Sequence, residues 1–109
     1  MLFRSITVKT QFRIASLRRA PYDFLVDFGN GKVGVIEVQG EQHYKYIKFF
    51  HRKYENFLKR LKFDKIKKNC AIEAGYHYLA ITNDEIKENK ANNKLINWLL
   101  QMMKLKKIK

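Results

Sequence analysis

The stretch YDFLVDFGNGKVGVIEVQG, residues 22–40, decides the fold. Tyr22–Phe28 and Val33–Gln39 are rich in aromatic and β-branched residues, the composition of strands. Between them Gly29-Asn30-Gly31-Lys32 is a hairpin signal. Loop length sets which residues oppose one another. A loop of Asn30 and Gly31 alone would turn Asp23 and Glu37 to opposite faces. A three-residue loop centred on Asn30 sets Asp23 across from Glu37 and Leu25 across from Val35. A type I turn with Gly31 in the left-handed position suits that longer loop. Asp23, Asp27, Glu37 and Gln39 are then expected on one face, with Asp23, Glu37 and Gln39 toward one end.

Upstream, Ile6, Val8, Thr10, Phe12 and Ile14 share one parity over residues 6–17, which predicts a half-buried strand. Arg18-Arg19-Ala20-Pro21 breaks it. Downstream, residues 52–74 carry Lys, Leu and Glu without Gly or Pro, which predicts a helix that Gly75 stops. Tyr76–Ile81 reads as a fourth strand, and Thr82-Asn83-Asp84-Glu85 has the capping-box pattern of a helix start. That helix is expected to break near Asn92-Asn93 and resume through Leu95, Ile96, Trp98, Leu99 and Met102. The expected fold is α/β in composition (α+β), a small mixed sheet of about four strands flanked by helices. It forms one domain over residues 1–109, with Lys104, Lys106, Lys107 and Lys109 in a basic tail at 104–109.

Composition narrows the function. The 109 residues hold 23 Lys and Arg against 10 Asp and Glu, a formal charge of +13. That balance points to a polyanion, since neutralising phosphates releases counterions. An anionic membrane surface is the competing partner. The Lys, Asn and Ile bias of AT-rich coding supplies part of the lysine, though not the shortage of acids. Residues 40–75 hold 10 Lys and Arg against 4 acids, the steepest local excess. No apolar run approaches the ~20 residues of a membrane span, and the first residues lack a signal-peptide core. A single cysteine, Cys70, excludes an internal disulfide framework and a Cys-rich zinc site, and fits a reducing, cytoplasmic compartment.

Acids inside strands of a small core need a partner or a metal. Asp23 and Glu37 with the amide carbonyl of Gln39 make a hard-oxygen set suited to Mg²⁺ or Mn²⁺. The same acids could instead offset nearby lysines at a solvated sheet edge. Phe57, Leu61, Asp64 and Lys68 follow four-three-four spacing, so Asp64 continues an apolar stripe, and its partner is either Lys68 one turn away, or His43 or a metal-bound water. Lys45, Lys48, Arg52 and Lys53 interleave with Tyr44, Tyr46, Phe49 and Phe50, a mixture suited to phosphate contact and base stacking, although such aromatics also build cores. His51 and His77 lack such a context, and Cys70 reads as a small buried hydrophobe.

Several pieces in order carry a family resemblance. They are Tyr22-Asp23-Phe24, then Glu37-Val38-Gln39-Gly40-Glu41-Gln42-His43, then Phe63-Asp64-Lys65-Ile66-Lys67-Lys68, then Gly75-Tyr76-His77-Tyr78-Leu79-Ala80-Ile81. Over roughly residues 10–85 the chain resembles the PD-(D/E)xK nucleases, in particular the Vsr-like branch of small phage and bacterial endonucleases. That branch has a strand bearing DF, a strand reading E-x-D-G-x-x-H, and a basic helix with a D-x-x-K-like element. The resemblance implies a restriction-endonuclease-like core with Asp23 and Glu37 as metal ligands. It places Gln39 where the motif has Lys or Asp, His43 as a proton shuttle or phosphate contact, and Asp64 as the acid that orients it. Gln39 is neutral and departs from the pattern, an E-x-Q form that resembles some restriction enzymes. Many members also carry a helix, often with a catalytic Glu, before the first strand. Here Met1–Ser5 precede it, which leaves that helix absent, supplied by another subunit, or replaced by the C-terminal helix.

The expected activity is therefore Mg²⁺-dependent hydrolysis of DNA phosphodiester bonds, by nicking, homing-type cutting or branched-DNA cleavage. The expected phosphate contacts are Arg18, Arg19, Lys45, Lys48, Arg52, Lys53, Lys65 and Lys68, and a homodimer would supply two sites. The alternatives are a catalytically inactive nucleic-acid-binding module of the same fold, and a protein of anionic membranes or partners, for which the hairpin acids have no use.

Overall fold

The 22–40 stretch folds as the expected hairpin. β2 (Tyr22–Asp27) and β3 (Val33–Gln39) pair antiparallel, with Leu25 opposite Val35 and Phe24 opposite Ile36. This is the register of the three-residue loop. Phe28 N donates to Lys32 O at 3.0 Å, closing the loop around Asn30. Gly31 has φ +87° and Gly29 φ +73°, conformations that side chains resist. Asp27 Oδ1 accepts from Gly29 N and Asn30 Oδ1 from Lys32 N, so two Asx side chains brace the turn.

The computed structural model describes residues 6–103, apart from the side chains of Gln42, Phe49 and Phe50. The expected tail at 104–109 and the base-stacking role of Phe49 and Phe50 lie outside the described residues. Four strands form one mixed sheet in the order β1-β2-β3-β4. β1 (Thr7–Phe12) lies antiparallel to β2, and β4 (His77–Thr82) parallel to β3. β1 is shorter than the 6–17 pattern suggests. A short 3₁₀ turn takes Ala15–Leu17. β1 is also an exposed edge, with Val8 58% exposed, rather than half-buried. At Gln11 φ is +52°, and beyond this kink Phe12 and Tyr22 turn toward the opposite sheet face from Phe24.

The parallel crossover from β3 to β4 carries a 3₁₀ turn at Glu41–His43, α1 (Lys48–His51) and α2 (Tyr54–Glu73). Gly75 follows α2 at φ +90°, the left-handed stop that its position suggests. α2 covers one sheet face through Ala71, which packs with Ile14, Tyr22, Leu25 and Val35. After β4 come α3 (Asn83–Lys87) and α4 (Ala91–Met102). The Thr82–Glu85 capping box forms in both directions.

The break between these helices falls earlier than Asn92-Asn93. Asn89 adopts φ +59°, Asn89 N donates to Ile86 O, and Lys90 N donates to Glu85 O. This is a Schellman ending with Asn in the position glycine usually takes. Asn92 and Asn93 instead open α4. α4 covers the second face, where Met102 joins Val26, Phe28, Ile36, Leu79 and Ile81, with Leu95, Trp98 and Leu99 against them. Among the described residues no helix is long and apolar enough to cross a membrane.

Trp98 reaches the sheet because Gly34 has no side chain. A Cβ at residue 34 would lie 2.5 Å from the indole. Gly34→Ala is therefore expected to lower stability by about 1–3 kcal/mol through overpacking. Thermal unfolding checks it, and Trp98→Leu in the same background should return part of the loss.

Candidate active site

Glu37 leaves the sheet on the α2 side, and α2 meets it with Lys67. Lys67 Nζ lies 2.7 Å from Glu37 Oε1, donates to Pro21 O at 3.0 Å, and sits 4.7 Å from the centre of the Tyr22 ring. Tyr22 Oη in turn donates to Lys67 O at 2.6 Å. The ammonium is nearly enclosed, with Lys67 only 9% exposed. Three residues earlier on the same helix, Asp64 Oδ2 lies 2.8 Å from His43 Nδ1. Asp64 and Lys67 share a face because three residues advance a helix by most of one turn. A carboxylate only accepts, so His43 Nδ1 carries the proton and Nε2 is left to face other groups.

Asp23 is held from the other strand. The β2–β3 ladder ends at Phe24 and Ile36, and beyond it Asp23 Oδ2 accepts from Val38 N at 2.8 Å. The Asp23 side chain thus takes over a donor that β3 would otherwise offer to a backbone carbonyl. Asp23, Glu37, His43, Asp64 and Lys67 come from two strands, one turn and one helix and meet at the C-terminal end of β3. Gln39 lies two residues beyond Glu37, on the same side of β3 and opposite Thr82 of β4.

Three carboxylates, Asp23, Glu37 and Asp64, lie close enough to act on one another beside the Lys67 ammonium, inside a basic protein. Burial pushes the Glu37 carboxyl above its ordinary range, the Lys67 ammonium pulls it down, and the charges of Asp23 and Asp64 push it up again. Burial and then the charges of Glu37, Asp64, Tyr22 and Asp23 raise the Tyr78 hydroxyl. Burial, then Cys70 and Glu37, push the Tyr22 hydroxyl up to about 12. Each of Asp23 and Glu37 commits one oxygen to the bonds above. Their free oxygens suit a hard divalent cation. Among the described residues no three His, Cys, Asp or Glu side chains are grouped to hold a metal alone. Asp23 and Glu37 are the two carboxylates that would hold an ion whose remaining positions are filled by water and substrate oxygen.

The structure decides the open choices about Asp64. Its partner is His43, and Lys68 points outward while Lys67 points in. The inward stripe runs Phe57, Asp64, Lys67, Ala71, and Leu61 is exposed. Lys67 carries the ammonium that Gln39 lacks. Its only sequence signal is the three-residue spacing from Asp64, and Lys68 at four residues satisfies helical spacing as well.

The expected phosphate contacts divide. Arg19 lies 5.7 Å over the ring of Phe63 on α2. Arg18 is exposed and its carbonyl accepts from the Arg13 guanidinium. Lys45 spends its charge on Asp84 at 3.2 Å and Glu41 at 4.0 Å, and that hydrogen bond to Asp84 raises its pKa. Lys48, Arg52 and Lys53 lie at the start of the helical crossover, and Lys65 and Lys68 lie on the outer surface of α2. α4 packs on the sheet face away from Asp23 and Glu37, so it does not replace a helix at the pocket. His51 is buried against Tyr46 and Phe57, and His77 is exposed. Cys70 is half-buried.

Removing one partner of a buried ion pair strands the other charge. Lys67→Met is expected to destabilise by about 3–5 kcal/mol, with Glu37→Gln in the same chain recovering part of it. Denaturant unfolding checks both. The raised Glu37 pKa fixes a sign: a carboxyl whose folded pKa is raised contributes stability below its unfolded value and loses it as pH climbs through the folded value. The stability of Glu37→Gln relative to the parent should therefore rise as pH goes from below 4.5 toward neutrality. An opposite slope would contradict the burial of that charge. No family model, curated protein or solved structure matches the chain, so the reading of the pocket rests on its own residues.

Proposed function

We propose that the chain is a metal-dependent DNA endonuclease of PD-(D/E)xK type, acting in the cytoplasm and hydrolysing phosphodiester bonds with Mg²⁺ or Mn²⁺. One observation carries the reading: an ammonium, Lys67 Nζ, buried 2.7 Å from a strand carboxylate, Glu37, with Asp23 beside it on the neighbouring strand. Structural ion pairs seldom need a second carboxylate in the same pocket. Metal-assisted hydrolysis of a phosphodiester needs two acids for the ion and a cation for the charge that develops.

In this reading Asp23 and Glu37 hold the metal, which when bound lowers the pKa of a water and neutralises charge on the phosphate. Lys67 faces the same carboxylate and stabilises the anionic transition state. His43 is oriented by Asp64 through Nδ1, so Nε2 accepts a proton from the attacking water or returns one to the leaving oxygen. Arg19, fixed over Phe63, binds the phosphate. Cutting both strands of a duplex requires two copies of the pocket, hence a homodimer, while a monomer nicks one strand.

A second reading, an inactive nucleic-acid-binding module, is favoured by the Glu37–Lys67 pair itself, because a lysine bound to that carboxylate competes with a metal. Supercoiled-plasmid nicking separates the two. Cleavage should require Mg²⁺ or Mn²⁺ and be abolished in Asp23→Ala and Glu37→Ala. Lys67→Met and His43→Ala should each lower the rate by about 10²-fold. DNA binding that persists without cleavage of any form would leave the binding module. In either case affinity must fall steeply with salt, since phosphate contacts release counterions.

A further inference from the structure

α2 carries apolar residues on the side turned away from the sheet. Tyr54, Leu58 and Leu61 follow a four-then-three spacing, and all three are exposed, Tyr54 by 57%. Tyr54 touches the buried Phe57 ring at 5.9 Å and leaves its other face open, and Leu58 and Leu61 belong to neither apolar cluster of the core. At the start of this ridge Tyr54 meets Tyr46, itself 39% exposed, with ring centres 5.4 Å apart and planes 83° apart. The ring of His51 stacks on Tyr46 at 5.8 Å and an angle of 25°. Lys48, Arg52, Lys53, Lys59 and Lys62 surround the two tyrosines in sequence, are exposed, and make no ion pair among the described residues.

We propose that this ridge receives a single unpaired nucleotide of DNA, stacked on Tyr54. The inference rests on the DNA reading above and names the substrate feature that this reading leaves open. The cations call for a polyanion, and an exposed aromatic ring among them suits a base. A second copy of the same ridge would set its own cations against these, which opposes self-association. The ring geometry limits the site to one base. Bases in a run are parallel, whereas the Tyr46 and Tyr54 planes are nearly perpendicular and His51 already covers Tyr46, so one stack cannot use both rings. A nucleotide without a pairing partner, bulged or flipped out, meets this condition, and a base held inside a paired duplex does not.

The test uses the full chain in EDTA, with one duplex carrying a single bulged 2-aminopurine and a fully paired control. The bulged duplex should bind roughly tenfold tighter, with its emission quenched, as one base on one aromatic ring provides. Tyr54→Ala should abolish the preference and the quenching and leave paired-duplex affinity unchanged, with the fold retained by circular dichroism despite the lost contacts to Tyr46 and Phe57. Tyr54→Phe should keep both signals, because stacking needs the ring and not the hydroxyl. Equal affinity for the two duplexes, or equal weakening of both by Tyr54→Ala, overturns the inference while leaving the DNA reading in place. Binding to neither duplex overturns the DNA reading too. Binding to an acidic amphipathic peptide in preference to either duplex overturns the inference and assigns the ridge to a protein.

Discussion

A buried ammonium must find partners, and Lys67 finds three of them in two separate parts of the chain. It reaches Glu37 on β3 and the Pro21 carbonyl in the connection before β2, and it lies over the ring of Tyr22 on β2. The Tyr22 hydroxyl returns a bond to the Lys67 carbonyl. Lys67 therefore ties the helix to the sheet at one position and one rotation. An apolar side chain there could stabilise as well or better, because burying charge is costly. What the pair supplies is direction. The same rotation that brings Lys67 to Glu37 brings Asp64 to His43, one helical turn away.

The two faces of the sheet are used differently. The α4 face is apolar throughout its buried cluster, and Gly34 lets Trp98 close on it. The α2 face combines an apolar cluster with the carboxylates, the buried lysine and two tyrosines whose hydroxyls are hard to ionise. The cations divide the same way. Lys87, Lys90 and Lys94, after β4, pair with Glu41, Glu88 and Glu85. Lys59, Arg60, Lys62, Lys65 and Lys68 on α2 make no ion pair among the described residues and are exposed. The net charge of +13 is thus balanced on one part of the surface and left open on the helix that borders the acidic pocket.

Much of this was legible in the residues. Turn chemistry at Gly29-Asn30-Gly31 selected the hairpin register, since only certain residues accept positive φ. Thr82 and Glu85 announced a helix start, and Gly75 a helix end, because capping is local. Asp23, Glu37, His43 and Asp64 were all visible as candidates. Other features were hidden for equally physical reasons. The helix break falls at Asn89, in a left-handed conformation, and not at the Asn92-Asn93 pair three residues on, because an isolated Asn carries no signal to separate it from that pair. The kink at Gln11, beyond which Phe12 changes face, leaves no trace in an alternating pattern.

The sequence by itself determined the elements, their order and the register of the hairpin, because these depend on side-chain period and backbone sterics within a few residues. It also placed Asp23, Glu37 and Gln39 toward one end of one face. Only the tertiary structure decided which lysine of the run Lys65-Ile66-Lys67-Lys68 turns inward. A helix of 3.6 residues per turn places both the third and the fourth residue after Asp64 near its face. The choice between them comes from packing, in which Ala71 and Phe57 are buried beneath α2 and the helix is rotated until Lys67 meets Glu37.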